Sequence, residues 1–366
     1  MDALTTPLPK DWQRVRLGDI CEIVKGQQIN KISLNNTDKY PVINGGIDFL
    51  GYTNKFNVSK NTIAISEGGT CGYVRFMTSD FWSGGHNYSL QKISNKVNNL
   101  CLYHILKSYE KDIMKLGVGS GLKNIQLKAL KDFEILLPPL NEQIAIANIL
   151  SDVDRYLYAL DSLILKKESV KKALSFELLS QRKRLKGFNQ AWQKVRLGDI
   201  CEITTGSLDA NEMVHYGKYR FYTCAKEYYF IDKYAFDTEA ILISGNGAYV
   251  GYVHYYKGKF NAYQRTYVLD NFSEHIIFVK YFLTMFLQSH IQTNRNEGNT
   301  PYIVMATLKD FEILLPPLNE QVAIANILSD VDSEIISLKN KKRQFENIKK
   351  ALNHDLMSAK IRVLKK

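Results

Sequence analysis

The chain has 366 residues, of which 45% are hydrophobic and 23% are charged, and it carries a formal net charge of +11. This length suffices for two domains that each bury a core, and no segment contains the roughly 18 uninterrupted apolar residues that a membrane helix requires. The first residues lack the basic segment followed by an apolar run that marks a secreted protein, so we expect a cytoplasmic location.

Metal and disulfide chemistry are not indicated by the sequence. The five cysteines are odd in number and include no CxxC pair, and the seven histidines show no HExxH or paired spacing. These patterns argue against a disulfide framework and against a zinc site. We expect buried thiols and no metal ion on this chain.

Two segments of the sequence occur twice, about 180 residues apart. The first, which we call the opening frame, reads WQRVRLGDICEI at residues 12–23 and WQKVRLGDICEI at residues 192–203. The second, the closing frame, reads LKDFEILLPPLNEQIAIANILSDVD at residues 130–154 and recurs with one change at 308–332. Self-similarity of this length predicts two copies of one structural unit.

The interiors between the frames have diverged. Residues 62–74 can be aligned with 239–253, and 79–90 with 258–269, but only apolar positions and glycines match. Fixed frames around two variable interiors indicate that both halves dock in the same way and bind different things.

The predicted elements combine strands rich in β-branched and aromatic residues with helices of two lengths. In chain order they are strands at 61–65 and 73–76, helices at 100–116 and 141–186, a strand at 240–243, a helix at 276–293 and a helix from 319. Each of the two long helices follows LPPLNEQ, because a proline pair cannot lie inside a helix and the asparagine is a suitable N-cap.

Both long helices carry apolar residues at steps of three and four, which predicts a coiled-coil seam. The seam includes lysines at positions 167, 171, 342 and 349. These have flexible stems and are expected to fix the register against the partner helix. About 40 residues span about 60 Å. A core helix is the alternative, but one of this length without Gly or Pro would be unusual.

The predicted fold class is α+β, with two mixed α/β domains separated by two long antiparallel coiled-coil helices in a pseudo-twofold internal repeat. We expect the first domain at 1–140, the first spacer helix at 141–186, the second domain at 187–318 and the second spacer helix at 319–366. Residues 166–186 and 339–366 hold an excess of Lys and Arg, which favours a polyanion or an acidic partner, although a solvated helix face also fits.

The paired frames, each followed by a long helix, closely resemble the DNA-specificity subunit of type I restriction-modification systems, and the resemblance covers essentially the whole chain. It implies that each variable region is a target recognition domain that reads one half of a bipartite site in double-stranded DNA. It implies further that the helices set the spacing between the half-sites.

The resemblance also implies partners. These are two methylation subunits, which modify adenine with S-adenosylmethionine, and restriction or motor subunits, which use ATP and Mg. The frames would dock the methylation subunits, and we assign this role to Pro138, Pro139, Glu142, Gln143, Pro316, Pro317, Glu320 and Gln321.

No motif for catalysis is present in the sequence. It contains no (N/D)PP(Y/F) loop, which an adenine methyltransferase needs, and no P-loop. We expect no enzymatic activity and no cofactor bound by this chain itself.

The loops supply candidate DNA contacts, because base readout needs directional side chains while Lys and Arg hold phosphates. The first-half candidates are Lys25, Gln27, Gln28, Lys31, Ser66, Gly68, Thr70, His86, Asn87, Lys123 and Asn124. The second-half candidates are Thr205, Ser207, Asn246, Tyr249, Gln264, Arg265, Arg295, Asn299 and Thr300. Arg265 is the first choice for a guanine contact, since Arg is the commonest partner of O6 and N7.

A coiled-coil scaffold or adaptor without sequence-specific DNA binding remains the alternative, because the basic helices alone do not exclude it. A stand-alone methylase or nuclease is disfavoured by the missing motifs. DNA binding that ignores sequence would favour the adaptor.

Overall fold

The computed structural model describes residues 9–294 and 301–363, so Arg295, Asn299 and Thr300 lie outside the described residues. The chain forms two compact units. Unit 1 comprises residues 1–161 and 340–366, and unit 2 comprises residues 162–339. Each long helix contributes one part to each unit.

Unit 1 begins with the opening frame and contains short strands and short helices. Its strands are β1 (Gln13–Arg16), β2 (Glu22–Lys25), β3 (Tyr40–Ile43), β4 (Gly51–Thr53), β5 (Thr62–Ser66), β6 (Val74–Met77), β7 (Trp82–Ser83), β8 (Asn87–Gln91), β9 (Gly117–Val118), β10 (Asn124–Ile125) and β11 (Glu134–Leu137). Its helices are α1 (Leu17–Ile20), α2 (Asn99–Ser108), α3 (Glu110–Lys115), α4 (Leu127–Lys131) and the first part of α5 (Leu140–Leu179).

Unit 2 repeats this plan with longer strands. Its strands are β12 (Gln193–Arg196), β13 (Glu202–Thr205), β14 (Tyr219–Tyr222), β15 (Tyr229–Ile231), β16 (Phe236–Ser244), β17 (Val253–Ala262), β18 (Thr266–Asp270) and β19 (Glu312–Leu315). Its helices are α6 (Ile276–Asn294), α7 (Met305–Lys309) and the first part of α8 (Leu318–Met357).

The central strand of each unit is buried on both faces. In unit 1 the strands of the main sheet lie in the order β2-β8-β5-β6. In β5, Ile63 and Ile65 pack against α2 in the main core, and Ala64 packs on the other face in a second apolar cluster. In unit 2 the strand order is β13-β18-β16-β17-β14-β15. Successive residues of β16 likewise pack alternately in the main core and in a second apolar cluster. Successive side chains of a strand point to opposite faces, so such a strand reads as a continuous apolar run.

The duplicated frames are strand partners. In unit 1, β1 pairs antiparallel with β11, and in unit 2, β12 pairs antiparallel with β19 in the corresponding register. The opening and closing frames are therefore one structural feature in each unit, although more than a hundred residues of sequence separate them.

The predicted elements are largely confirmed, with differences at their ends. The expected helix at 100–116 is interrupted at Tyr109, whose φ and ψ of -89° and 6° separate α2 from α3. Each long helix begins one residue before the expected asparagine. The helix expected to reach 186 ends at Leu179, because Gln181 takes a left-handed backbone with φ of 61°. Ala359 has φ of 57° just after α8.

The seam lysines form ion pairs with the opposite long helix. In unit 1, Lys349 pairs with Asp154. In unit 2, Lys171 pairs with Asp332, and Lys167 lies 2.7 Å from Glu334. The paired residue numbers run in opposite directions in unit 2 and, with the additional pair Lys342–Asp161, in unit 1, so the helices are antiparallel. Such half-exposed pairs contribute about 1 kcal/mol or less each, and their main effect is on register.

Three cysteines of unit 1 are buried, namely Cys21, Cys71 and Cys101. Burial raises the pKa of Cys21 and of Cys101 to about 12, so both thiols remain protonated at neutral pH.

Within the described part of the chain, no helix is long and apolar enough to cross a membrane.

A buried histidine distinguishes unit 1 from unit 2. His104 in α2 is 2% exposed, and its Nε2 atom has no hydrogen-bond partner among the described residues. Burial lowers its pKa to about 4, with a further lowering by Lys349 and an opposing effect of Asp154. In unit 2 the corresponding Lys–Asp pair is instead accompanied by Tyr281, whose hydroxyl donates to Asp332 at 2.7 Å.

We expect unit 1 to lose stability in mild acid because of His104. Its pKa is lower in the folded chain than the ordinary 6.5, so its stabilising effect is complete above pH 6.5 and is lost as the pH falls towards 4. The loss amounts to about 3 kcal/mol. Thermal unfolding at pH 7 and at pH 4.5 measures it. His104→Tyr, the residue type used by unit 2, should reduce the acid-induced loss, and an equal loss in both proteins would contradict the prediction.

Candidate nucleic-acid interface

Four loop segments of unit 1 lie side by side around the peptide of Glu67. The Glu67 amide donates to the His86 carbonyl at 2.9 Å, and the Glu67 carbonyl accepts from the Ile125 amide at 2.9 Å. The Gly26 amide donates to the Asn87 carbonyl at 2.8 Å. The loops that follow β2 and β5, the loop before β8 and the segment leading into β10 are therefore held side by side.

Side chains from these loops form a charged cluster. The Lys25 ammonium lies 2.6 Å from Glu67 Oε1, and His86 Nδ1 lies 3.6 Å from Glu67 Oε2. The Tyr88 hydroxyl donates to the Ile125 carbonyl at 3.0 Å and lies 3.4 Å from Glu67 Oε1. The Lys25 and His86 side chains are 53% and 54% exposed, so this cluster presents donors to solvent.

The structure places most of the unit 1 candidates around this cluster. Lys25, Gln27, Gln28, His86, Lys123 and Asn124 are exposed, Thr70 is half-buried, and Ser66, Gly68 and Asn87 are buried. The Asn87 amide is used internally, because it donates to Ser83 Oγ and to the Tyr88 carbonyl at 3.0 Å each. Lys31 is exposed in a 3₁₀ turn, and its ammonium forms no ion pair or hydrogen bond with the described residues of the cluster.

Unit 2 has the same backbone arrangement with different side chains. The Gly245 amide donates to the Arg265 carbonyl at 2.8 Å, and the Ile303 amide donates to the Gly245 carbonyl at 2.9 Å. The Tyr267 hydroxyl donates to the Ile303 carbonyl at 3.0 Å, as Tyr88 does to Ile125. Gly245 is thus equivalent to Glu67, and Arg265 is equivalent to His86.

The described unit 2 candidates also gather at this position. Thr205 and Asn246 are half-buried, and Ser207, Tyr249, Gln264 and Arg265 are exposed. Within the described ranges, the Arg265 guanidinium makes no ion pair or hydrogen bond, so its donors are free. Lys226 lies over the Tyr249 ring, 5.2 Å from the centroid, and adds a second cation.

Sequence reasoning missed two residues of these clusters, Glu67 and Lys226. A signal for Glu67 was present: it is a charged residue directly after the buried strand TIAIS, and its aligned counterpart is a glycine. A charged side chain there is unusual unless it is paired. Lys226 lies in the loop between β14 and β15, where no repeated segment of the sequence marks a cation.

The frame residues assigned to partner docking are bound inside their own units. Glu142 accepts from Trp12 Nε1 at 3.2 Å and from Arg362 Nε at 2.7 Å. Gln143 accepts from the Asn98 amide at 2.7 Å and donates to the Pro138 carbonyl at 2.7 Å.

The second copy of the frame is bound in the same way. Glu320 accepts from Trp192 Nε1 at 3.1 Å and from Arg184 Nη2 at 2.6 Å, and Gln321 donates to the Pro316 carbonyl at 2.8 Å. The four Glu and Gln side chains and Pro138 and Pro316 are buried, while Pro139 and Pro317 are half-buried. Their observed contacts brace the frame, and a docking role stays a prediction.

Comparison with known proteins identifies the family. The model of the type I restriction modification DNA specificity domain matches the chain twice, at residues 9–168 and 189–347. The chain belongs to this family. Its role in a type I restriction-modification system is DNA recognition. Each of the two matches spans one opening frame, one variable interior and one closing frame.

Individual members of the specificity family resemble the chain along most of its length. A putative type I specificity subunit of Mycoplasma genitalium is 28% identical over 319 residues, covering 83% of this chain and 82% of that protein. A putative type I specificity subunit of Mycoplasma pneumoniae is 30% identical over 256 residues, covering 67% and 68%. The crystal structure of a type I S subunit from M. genitalium matches with a TM-score of 0.71 at 24% identity, covering 96% and 98% of the two chains, and shows the same fold.

We expect Glu320→Gln to destabilise unit 2 of this specificity subunit. The substitution keeps the shape but leaves the half-buried Arg184 without its carboxylate, which should cost roughly 2–4 kcal/mol. Urea unfolding followed by circular dichroism measures the change. The control is Glu177→Gln, because the pair of Glu177 with Lys183 is largely solvated and should matter by less than about 1 kcal/mol. Equal effects of the two substitutions would contradict the role given to Glu320.

Proposed function

We propose that each unit reads one half of a bipartite duplex target and that the two halves differ in sequence. One observation carries the proposal: equivalent backbone positions hold Lys25, Glu67 and His86 in unit 1 but Thr205, Gly245 and Arg265 in unit 2. Side chains with different donors and acceptors select different base edges. The proposed contacts are the loop candidates described above, with Arg265 facing a guanine.

The chain works, in this proposal, within a complex. Two methylation subunits dock on the frames, restriction subunits join through the complex, and S-adenosylmethionine, ATP and Mg bind to those partners. The chain itself is non-catalytic and acts in the cytoplasm. The long helices set the spacing between the half-sites, since each is 40 residues long and spans about 60 Å.

Mapping of adenine methylation across the genome tests this function directly. Cells that carry this chain with its methylation partners should modify adenines in one motif made of two defined half-sites and an undefined gap. Methylation that is independent of this chain, or binding of the purified chain to duplex DNA without sequence preference, would reject the proposal in favour of the adaptor.

Arg265→Ala should relax recognition at one base pair. A bidentate Arg contact with guanine supplies about 1–3 kcal/mol of discrimination, and a neutral methyl group supplies none. Competition binding with duplexes that carry single base changes in either half-site measures it. Loss of discrimination in both half-sites would show that Arg265 does not act as a local base contact. The exposed Lys218 is a control cation in the same unit, and Lys218→Ala should leave the base preference unchanged.

Removal of one heptad from both long helices should shorten the gap. Deletion of 157–163 and 340–346 removes the Asp161–Lys342 pair and keeps the Lys349–Asp154 and Lys171–Asp332 pairs. Seven residues span about 10 Å, which corresponds to about 3 base pairs. Methylation mapping should return both original half-sites with a shorter gap. An unchanged gap in a folded variant would exclude the spacing role.

A further inference from the structure

Glu67 is placed where it contacts the exposed donors without being exposed itself. Its side chain is 11% exposed, whereas those of Lys25 and His86 are about half exposed. A DNA duplex that approaches this surface therefore meets the lysine and the histidine before it meets the carboxylate.

The Glu67 carboxylate is held from the protein side. The Tyr88 ring is buried in the main core, and its hydroxyl lies between the Ile125 carbonyl and Glu67 Oε1. Burial raises the pKa of Tyr88 to about 12, with a further increase from the charge of Glu67, so the phenol stays protonated. The backbone of Glu67 is fixed on both sides by its bonds to the His86 carbonyl and the Ile125 amide.

Unit 2 keeps the support and lacks the carboxylate. Tyr267 makes the same bond to its neighbouring carbonyl, but its equivalent loop has Gly245, where an added Cβ atom would lie 2.3 Å from the Arg265 carbonyl oxygen. No side chain fits there without a backbone shift, so position 245 supplies no carboxylate to Arg265, and none of the described residues forms an ion pair with its guanidinium. The two units thus differ at this one position in whether a carboxylate restrains the readout side chains.

We propose that Glu67 is a positioning residue that sets the specificity of unit 1, because it holds Lys25 and His86 as donors for the acceptor edge of a purine, O6 and N7 of guanine in the first instance. The inference rests on the proposed function and adds a residue to it. A free lysine is a flexible point charge that contacts any phosphate, whereas a lysine bound to a fixed carboxylate has a set direction and little net charge. Glu67 therefore weakens the non-specific attraction of Lys25 to DNA phosphates and increases the selectivity of unit 1 for particular bases.

Glu67→Gln tests the inference with two readouts of opposite sign. Glutamine keeps the shape and can still accept a hydrogen bond, but it frees the charge of Lys25. Discrimination against single base changes in the unit 1 half-site should fall about 10-fold. Binding to unrelated duplex DNA should become tighter, and the slope of log K against log salt should steepen by about 0.9 for one added phosphate contact. Damage to the fold would weaken both kinds of binding.

Asp112→Asn provides the matched control. Asp112 lies in α3, outside both frames, and pairs with Lys115 at 2.7 Å, so the substitution makes the same change of charge in the same unit. It should leave base discrimination unchanged. The binding assay uses the full chain with its methylation subunits and duplexes built on the mapped motif.

The outcomes separate the two proposals. Unchanged discrimination in Glu67→Gln, or an equal loss at both half-sites, would overturn the role of Glu67 while the proposed function stands. A wild-type complex that shows no preference for the mapped motif would overturn both.

Discussion

A buried carboxylate holds the frames together in each unit. Glu142 and Glu320 are 1% and 0% exposed, and a charge at such a position is stable only when its hydrogen-bonding capacity is satisfied. The partners are a tryptophan from the opening frame and an arginine that follows the end of a long helix. One side chain of the closing frame thus joins the opening frame, the closing frame and the segment after a long helix. In unit 1 these three segments are distant in sequence, whereas in unit 2 Arg184 and Trp192 lie close together in the chain.

The variable loops depend on this fixed support. Because β5 and β16 are buried on both faces, their positions are set by packing, and the loops that leave them start from corresponding points in the two units. Side chains in those loops are then free to change without cost to the core. The bonds around Glu67 and Gly245 show this separation: the backbone contacts are the same, and the chemistry presented to solvent is not.

The sequence was sufficient to predict the parts of the fold that repeat or follow a period. The repeat of the frames, the two long helices and the strands at 61–65, 73–76 and 240–243 were accessible in this way, because each depends on a pattern that can be read along the chain. The interruption at Tyr109 was not, since no Gly or Pro marks it. Glu142 and Gln143 were expected to be available to a partner, because the family resemblance implies that the frames dock the methylation subunits. Their burial depends on Trp12, Asn98 and Arg362, which no local pattern connects to them.

The candidate site was predicted as a set of loops and not as a cluster. Spacing and residue type selected Lys25, His86 and Arg265 as candidates, and the structure shows which side chains lie beside each of them. Whether a cation is free or paired depends on a residue in another loop, 42 positions away for Lys25. Such information lies in the fold alone.

The division of the chain has a consequence for biosynthesis. Unit 2 is continuous, so all of its residues have left the ribosome once position 339 has emerged, whereas unit 1 needs residues 340–366 to be complete. Arg362, which bonds to Glu142 and to Asp11 at 2.9 Å, lies in this later segment. Unit 1 is therefore completed after unit 2, and a polypeptide released after position 339 contains all of unit 2 but only part of unit 1.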